Sequence, residues 1–207
     1  MFKLDSPFMN FLNKLCDIMI LNILVLVFSL PIFTIGAAVT AGYYMSFKMV
    51  KNEESYIVKG FWKAFKENFK QSTALWLIIL AVCGVLFADY RIVLYSGLSF
   101  DRWLRLGLLT VTLIIALGVS FVFALQARFT NTVKHTLKNA FLMALSHLPS
   151  AVLFVVSYAV PVVLLYFIPQ IFPVIVLLAI GLLIYLKSFL FLKIFKKYED
   201  VLDTKKD

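Results

Sequence analysis

Apolar residues gather into long runs along this chain and polar residues collect between them, so the pattern predicts a set of membrane-crossing helices. The runs place spans at about 18–47, 73–88, 104–127, 150–168 and 171–187, several of them near the roughly 20 residues that cross a bilayer. Between them, semi-polar stretches at about 56–70 and 132–147 predict amphipathic connector helices, and a mixed-charge end at about 198–207 predicts a flexible tail. The expected fold is an all-α membrane protein of about five transmembrane helices, forming one integral membrane domain over 1–207.

The first span is longer than a bilayer needs and holds Pro31 near its middle. Proline has no N–H to donate and its ring clashes with the preceding turn, so the helix must kink or break there. Ile18 to Leu30 reaches only about 20 Å, which leaves a kinked span or a dipping hairpin; the kinked span is favoured. Past the proline, Gly36, Ala37, Ala38, Thr40, Ala41 and Gly42 form three small-xxx-small pairs, a face on which another helix can approach closely. Thr112, Ala116, Ser120 and Ala124 form a second such row.

In the first connector, Ile57, Phe61, Phe65 and Phe69 recur every four residues beside Trp62, with Lys59, Lys63, Lys66 and Lys70 on the flanks and opposite side. Rings entering the acyl edge and ammonium groups meeting anionic headgroups describe a membrane-surface helix. Whether the rings face lipid, the protein's own bundle or a partner is open at this level. The second connector matches the first at an offset of eighty residues (Phe61, Ala64 and Phe65 with Phe141, Ala144 and Leu145), through either a weak duplication or shared helical spacing. Further on, Pro161 should bend the fourth span, and Pro169 and Pro173 around Gln170 mark a tight hairpin.

Composition sharpens the setting. Hydrophobic residues make up 62% of the 207 residues, far above a soluble domain. The formal charge of +9 stands at the ends of apolar runs, which points to membrane sorting and away from nucleic acid. In the five-span arrangement, 15 Lys and Arg lie on one side and 5 on the other. That bias predicts a multi-pass protein of the cell membrane with its N-terminus outside and its C-terminus cytoplasmic. Asp5 and Asp17 spoil a leader peptide, so the N-terminus is expected to be retained.

Candidate chemistry is sparse. No Asp, Glu, Lys, Arg or His stands between Ile18 and Phe47, Ala74 and Ala88, Leu106 and Ala127, or Leu148 and Leu186, which argues against a proton-coupled pump. His135 and His147 have no partner at ligand spacing, Cys16 and Cys83 are apart, and no phosphate loop occurs. No metal, cofactor or enzymatic activity is expected. The sharpest local site is the Pro31 break, where backbone N–H groups opened near Thr34 and Gly36, with Asn22 and Thr40, would hold a polar solute. The favoured alternative is a kink healed by Ser or Thr side chains and neighbouring helices.

The run from Leu30 to Trp76 (LPIFTIGAAVTAGYYMSFKMVKNEESYIVKGFWKAFKENFKQSTALW) resembles the signature of the YesL family of Gram-positive bacterial membrane proteins. A second block from Gln126 to Pro149 (QARFTNTVKHTLKNAFLMALSHLP) is similar to that family's later motif. The resemblance implies a domain of unknown function without catalytic residues to carry over, whose genes often stand beside those for carbohydrate uptake. The leading expectation is a non-enzymatic accessory to carbohydrate uptake, with a membrane permease and anionic lipid as partners. The runner-up is a small-solute transporter with its midplane site at Pro31.

Overall fold

A computed structural model describes residues 7–53, 56–95 and 101–203. Every regular element among them is helical: α1 (Pro7–Ser29), α2 (Ile35–Val50), α3 (Ile57–Tyr95), α4 (Asp101–Arg128), α5 (Val133–Ser146), α6 (Leu148–Ser157), α7 (Ala159–Phe167) and α8 (Phe172–Asp203), with short 3-10 turns at Ile32–Thr34 and Pro169–Ile171. Five stretches are long and apolar enough to cross a membrane: Phe8–Ser29, Ile57–Tyr95, Arg102–Arg128, Leu148–Phe167 and Pro169–Tyr198. The fold is that of an all-α, multi-pass membrane protein.

The run expected as one kinked span over 18–47 is instead a hairpin. Lys14 Nζ donates to Asn52 Oδ1 at 2.9 Å although the two lie 38 residues apart. A continuous helix would hold them about 57 Å apart. Pro31 therefore sits at a reversal, where the 3-10 turn lets α2 descend along α1 and sets Gly42 against Val25. At its other end α2 closes with Asn52 at φ 54, Asn52 N–H donating to Met49 O and Glu53 N–H to Lys48 O. This left-handed cap uses the last carbonyls of the helix and stops it.

α2 is the central helix. Eleven of its 16 residues are buried, the small-residue face among them. A Cβ added at Gly36 would lie 2.5 Å from Ser72 O and 2.7 Å from Trp76 Cβ, so glycine alone lets α3 come this near. α8 covers another side, with Tyr43 against Phe191 and Phe47 against Phe195 edge-on.

The connector and second span are not separate elements either: 57–95 is one helix of 39 residues, about 58 Å long. No proline occurs in it and no glycine between Phe61 and Cys83, so nothing in the sequence breaks it there. It runs antiparallel to α2, meets the hairpin turn where Trp76 Nε1 donates to Ile32 O at 2.7 Å, and continues beyond it as far as Tyr95. The fourth span is broken at Tyr158, one turn before Pro161, as the missing N–H requires. The tail expected as flexible from 198 continues as helix to Asp203, and 204–207 lie outside the described residues, as do Lys3 and the rest of 1–6.

Folding α2 back changes the parity of the chain. The start of α1 lies by Asn52, and the last part of α8 lies by Phe47 and His147. The start of α1 and the end of α8 thus share one end of the bundle, as in the hairpin alternative, whereas the kinked-span reading placed the termini on opposite sides. Lys14, Lys48, Lys51 and Lys193–Lys197 lie toward that end, the lysines of 59–70 run along α3 from there toward the hairpin turn, and Arg91, Arg102 and Arg105 stand on the outer parts of α3 and α4. Reporter fusions at the two termini are expected to show the same side of the membrane, and opposite sides would refute the hairpin.

Candidate functional site

The residues expected to form a site at the Pro31 break are not brought together. Asn22 is fully buried and bridges α1 to α8: its Nδ2 donates to Val176 O at 2.8 Å and its Oδ1 accepts from Gly181 N–H at 2.9 Å. Thr34 points its hydroxyl back into the turn, 2.6 Å from Phe28 O and 2.7 Å from Pro31 O. Thr40 donates to Gly36 O at 2.8 Å and accepts from Ser72 Oγ at 3.0 Å. Gly36 is covered by α3, and Pro31 is exposed beside Leu30, Ile32 and Phe33. Each polar side chain of the set is thus engaged in joining helices, and no open donor cluster forms at the start of α2. These contacts make the Pro31 segment a packing joint, the alternative that the sequence left beside a ligand site.

The basic stretch also reads differently in three dimensions. Phe61, Ala64 and Phe65 are buried, and Phe28 at the end of α1 meets the rings of Phe61, Trp62 and Phe65 at 5.5, 5.3 and 5.0 Å. Phe69 packs partly buried on the same core. The rings therefore face the bundle, correcting the assignment of Phe61 and Phe65 to a lipid or partner surface. Lys59, Lys63, Lys66 and Lys70 stay exposed, as does Trp62 at 43%, which stacks on Phe65 and carries Lys66 Nζ 4.6 Å from its ring centre. Lys63 and Glu67 pair at 3.9 Å on the open side, a solvated contact of little weight.

A polar seam ties α3 to α4 and α5. Gln126 donates to Asn68 Oδ1 and accepts from Thr136, both at 3.3 Å, and Gln71 donates to Asn131 O. It joins the two blocks on which the family resemblance rests, Leu30–Trp76 and Gln126–Pro149. α5 itself starts at Thr132, whose side chain caps the helix through His135 N–H.

One group escapes sequence reasoning altogether. Lys187, taken as the first residue of a basic exit, is 3% exposed inside the bundle, with Nζ 3.1 Å from the centre of the Tyr158 ring. Among the described residues three buried polar side-chain atoms lack a hydrogen-bond partner: Ser46 Oγ, Thr73 Oγ1 and Lys187 Nζ. The hydroxyls are minor, but an ammonium brings three donors that water no longer satisfies. The available signal was position: Lys187 follows only about 16 apolar residues of its span, short of a full crossing. No group of three His, Cys, Asp or Glu side chains arranged for a metal occurs among the described residues.

These features define a class, the multi-pass helical membrane protein whose buried polar groups serve packing, with a buried lysine amine, Lys187, that lacks a hydrogen-bond partner among the described residues. The family described as "Protein of unknown function, DUF624" matches residues 18–90, which hold the α1–α2 hairpin and most of α3. The uncharacterized protein YesL of Bacillus subtilis (strain 168) is 28% identical over 165 residues, covering 75% of this chain and 77% of that protein. Both matches are to proteins of unknown function, the first over about a third of the chain. No solved structure matches it.

Two outcomes test this assignment of roles. Asn22→Leu is expected to cost about 1–2 kcal/mol, the loss of two interhelical hydrogen bonds in a membrane protein, read as a lower unfolding midpoint in detergent. Phe65→Ala is expected to cost about 3 kcal/mol through the cavity it leaves, whereas exchanging Lys59, Lys63 and Lys66 for Gln leaves the midpoint unchanged. Equal effects of the ring and lysine changes would contradict the inward-facing rings.

Proposed function

We propose that this protein is a non-enzymatic accessory component of the cell membrane that assists carbohydrate uptake by seating a membrane permease against its α3–α4 arm. The observation that carries this reading is the contrast between the two halves of those helices. No residue of α3 from Leu80 to Tyr95, and none of α4 from Arg102 to Ala116, is buried, although the halves nearer the hairpin are packed. Gly84 and Gly107 have no neighbouring atom within 4 Å of where a Cβ would stand. Glycines on an open apolar face admit the close approach of another helix.

The family resemblance supplies the physiological direction, since it implies genes placed beside those for carbohydrate uptake. The charge asymmetry supports a cytoplasmic setting for the lysine-rich end, and with it both termini, and it supports contact of Lys59 to Lys70 with anionic headgroups. The polar side chains around Pro31 are committed to packing, so the turn lends no support to a transport path through it.

Cys83 is exposed on the arm and provides the probe. With Cys16→Ser making it the sole cysteine, a lipid-soluble maleimide photocrosslinker on Cys83 in native membranes is expected to capture the membrane subunit of a sugar permease. Adducts confined to lipid, or unchanged sugar uptake after deletion of the protein, would overturn the reading.

A further inference from the structure

We infer that Lys187, covered by Tyr158, is the head-group site for an anionic amphiphile whose apolar body occupies the adjoining cavity. This stands independently of the accessory role. A cavity of about 310 Å³ lies between α2, α3, α4 and α6, lined by Val39, Tyr43, Trp76, Ser120, Val155 and Tyr158 among others. That volume is at the low end of the roughly 300–1,000 Å³ of small-molecule sites. Its lining is almost wholly apolar apart from the hydroxyls of Tyr43, Tyr158 and Ser120, and Ser120 already donates to Leu117 O at 2.7 Å. The Tyr43 and Tyr158 hydroxyls come within interaction range of each other.

Tyr158 joins the cavity to the cation. One side of its ring meets Lys187 Nζ and the residue also lines the cavity, yet it is 52% exposed. It occupies the break between α6 and α7, where its N–H bonds to Val155 O at 3.2 Å and the helix ladder is interrupted ahead of Pro161. Turning this one half-exposed side chain uncovers an ammonium that has no acceptor of its own. A buried ammonium with only a ring against it is left short of acceptors by far more than a cation–π contact offsets. A carboxylate or phosphate oxygen would supply them, and the apolar cavity beside it selects an acyl chain over water-soluble anions. Free fatty acids and anionic lipids share this chemistry.

Trp76 lines the cavity, so bromine quenching of its fluorescence reads occupancy directly. The full-length protein with Trp62→Phe and Trp103→Phe, in nanodiscs of zwitterionic lipid, would be titrated with dibromostearate, its methyl ester and a brominated phosphatidylglycerol. Saturable quenching by dibromostearate, by brominated phosphatidylglycerol or by both is expected, the pattern identifying the source, with the methyl ester no better than bulk lipid. Lys187→Gln should weaken binding at least about tenfold, the loss of one charge-assisted contact, and Lys187→Arg should retain it. Should Lys187→Gln fail to fold, Tyr158→Ala, which keeps the cation and removes its cover, is expected to strengthen or speed quenching. Equal quenching by acid and ester, an unchanged affinity in Lys187→Gln, no gain in Tyr158→Ala, or displacement by millimolar inorganic phosphate would overturn the proposal.

Discussion

The carboxamide of Asn22, inserted between Val176 O and Gly181 N–H, is the contact on which the arrangement of the other helices depends. Away from water a backbone group left without a partner costs several kcal/mol, so a side chain that can serve both a donor and an acceptor fixes its helix in depth and rotation at once. Asn22 does this for α1 against α8. Gly181 permits it, since a Cβ there would stand 2.7 Å from Ile18 O and 2.8 Å from Asn22 Cβ. With α1 held on α8, the reversal at Pro31 sends α2 back through the middle, and α3 then closes on its glycine face.

Large apolar side chains fill most of the core, but small residues and hydroxyls line the α2 face where α3 approaches. Lipid tails are as apolar as leucine, so burying leucine between helices brings little advantage, and close backbone approach with short hydrogen bonds does the joining. Gly36 against Ser72, Thr40 with Ser72, and Trp76 on Ile32 O are among the ties between the hairpin and α3. Aromatic rings fill what the small residues leave, with Phe154 and Phe191 only 4.3 Å apart between centres. The family match over residues 18–90 contains these joints.

Much of this was readable before the structure. Helical class, the run of apolar spans, the effect of Pro161 and the turn at Pro169 all follow from residue type and period. The hairpin was not, because a proline that ends a helix says nothing about the direction in which the chain leaves it; a contact 38 residues away decides that. A return of the chain at Pro31 also bears on sidedness, since it shifts the parity of every later crossing. The rings of 57–69 showed a face but not its occupant, which Phe28 supplies from another helix. Lys187 was misread for a related reason: a lysine at the end of an apolar run ordinarily reaches for the interface, and only the position of Tyr158 reveals that it turns inward.

The continuity of α3 links the packed half of the molecule to the open half. Its inner turns are held by Phe28 and Ser72, and its outer turns stand clear of other helices except α4. Between Phe61 and Tyr95 the helix has one glycine, Gly84, and no proline. A displacement imposed on the arm must therefore bend the helix near Gly84, where backbone stiffness is least, or be carried inward as far as Trp76 and its hydrogen bond to the hairpin turn. The outer arm and the Pro31 reversal thus meet at Trp76, which also lines the cavity that Tyr158 borders.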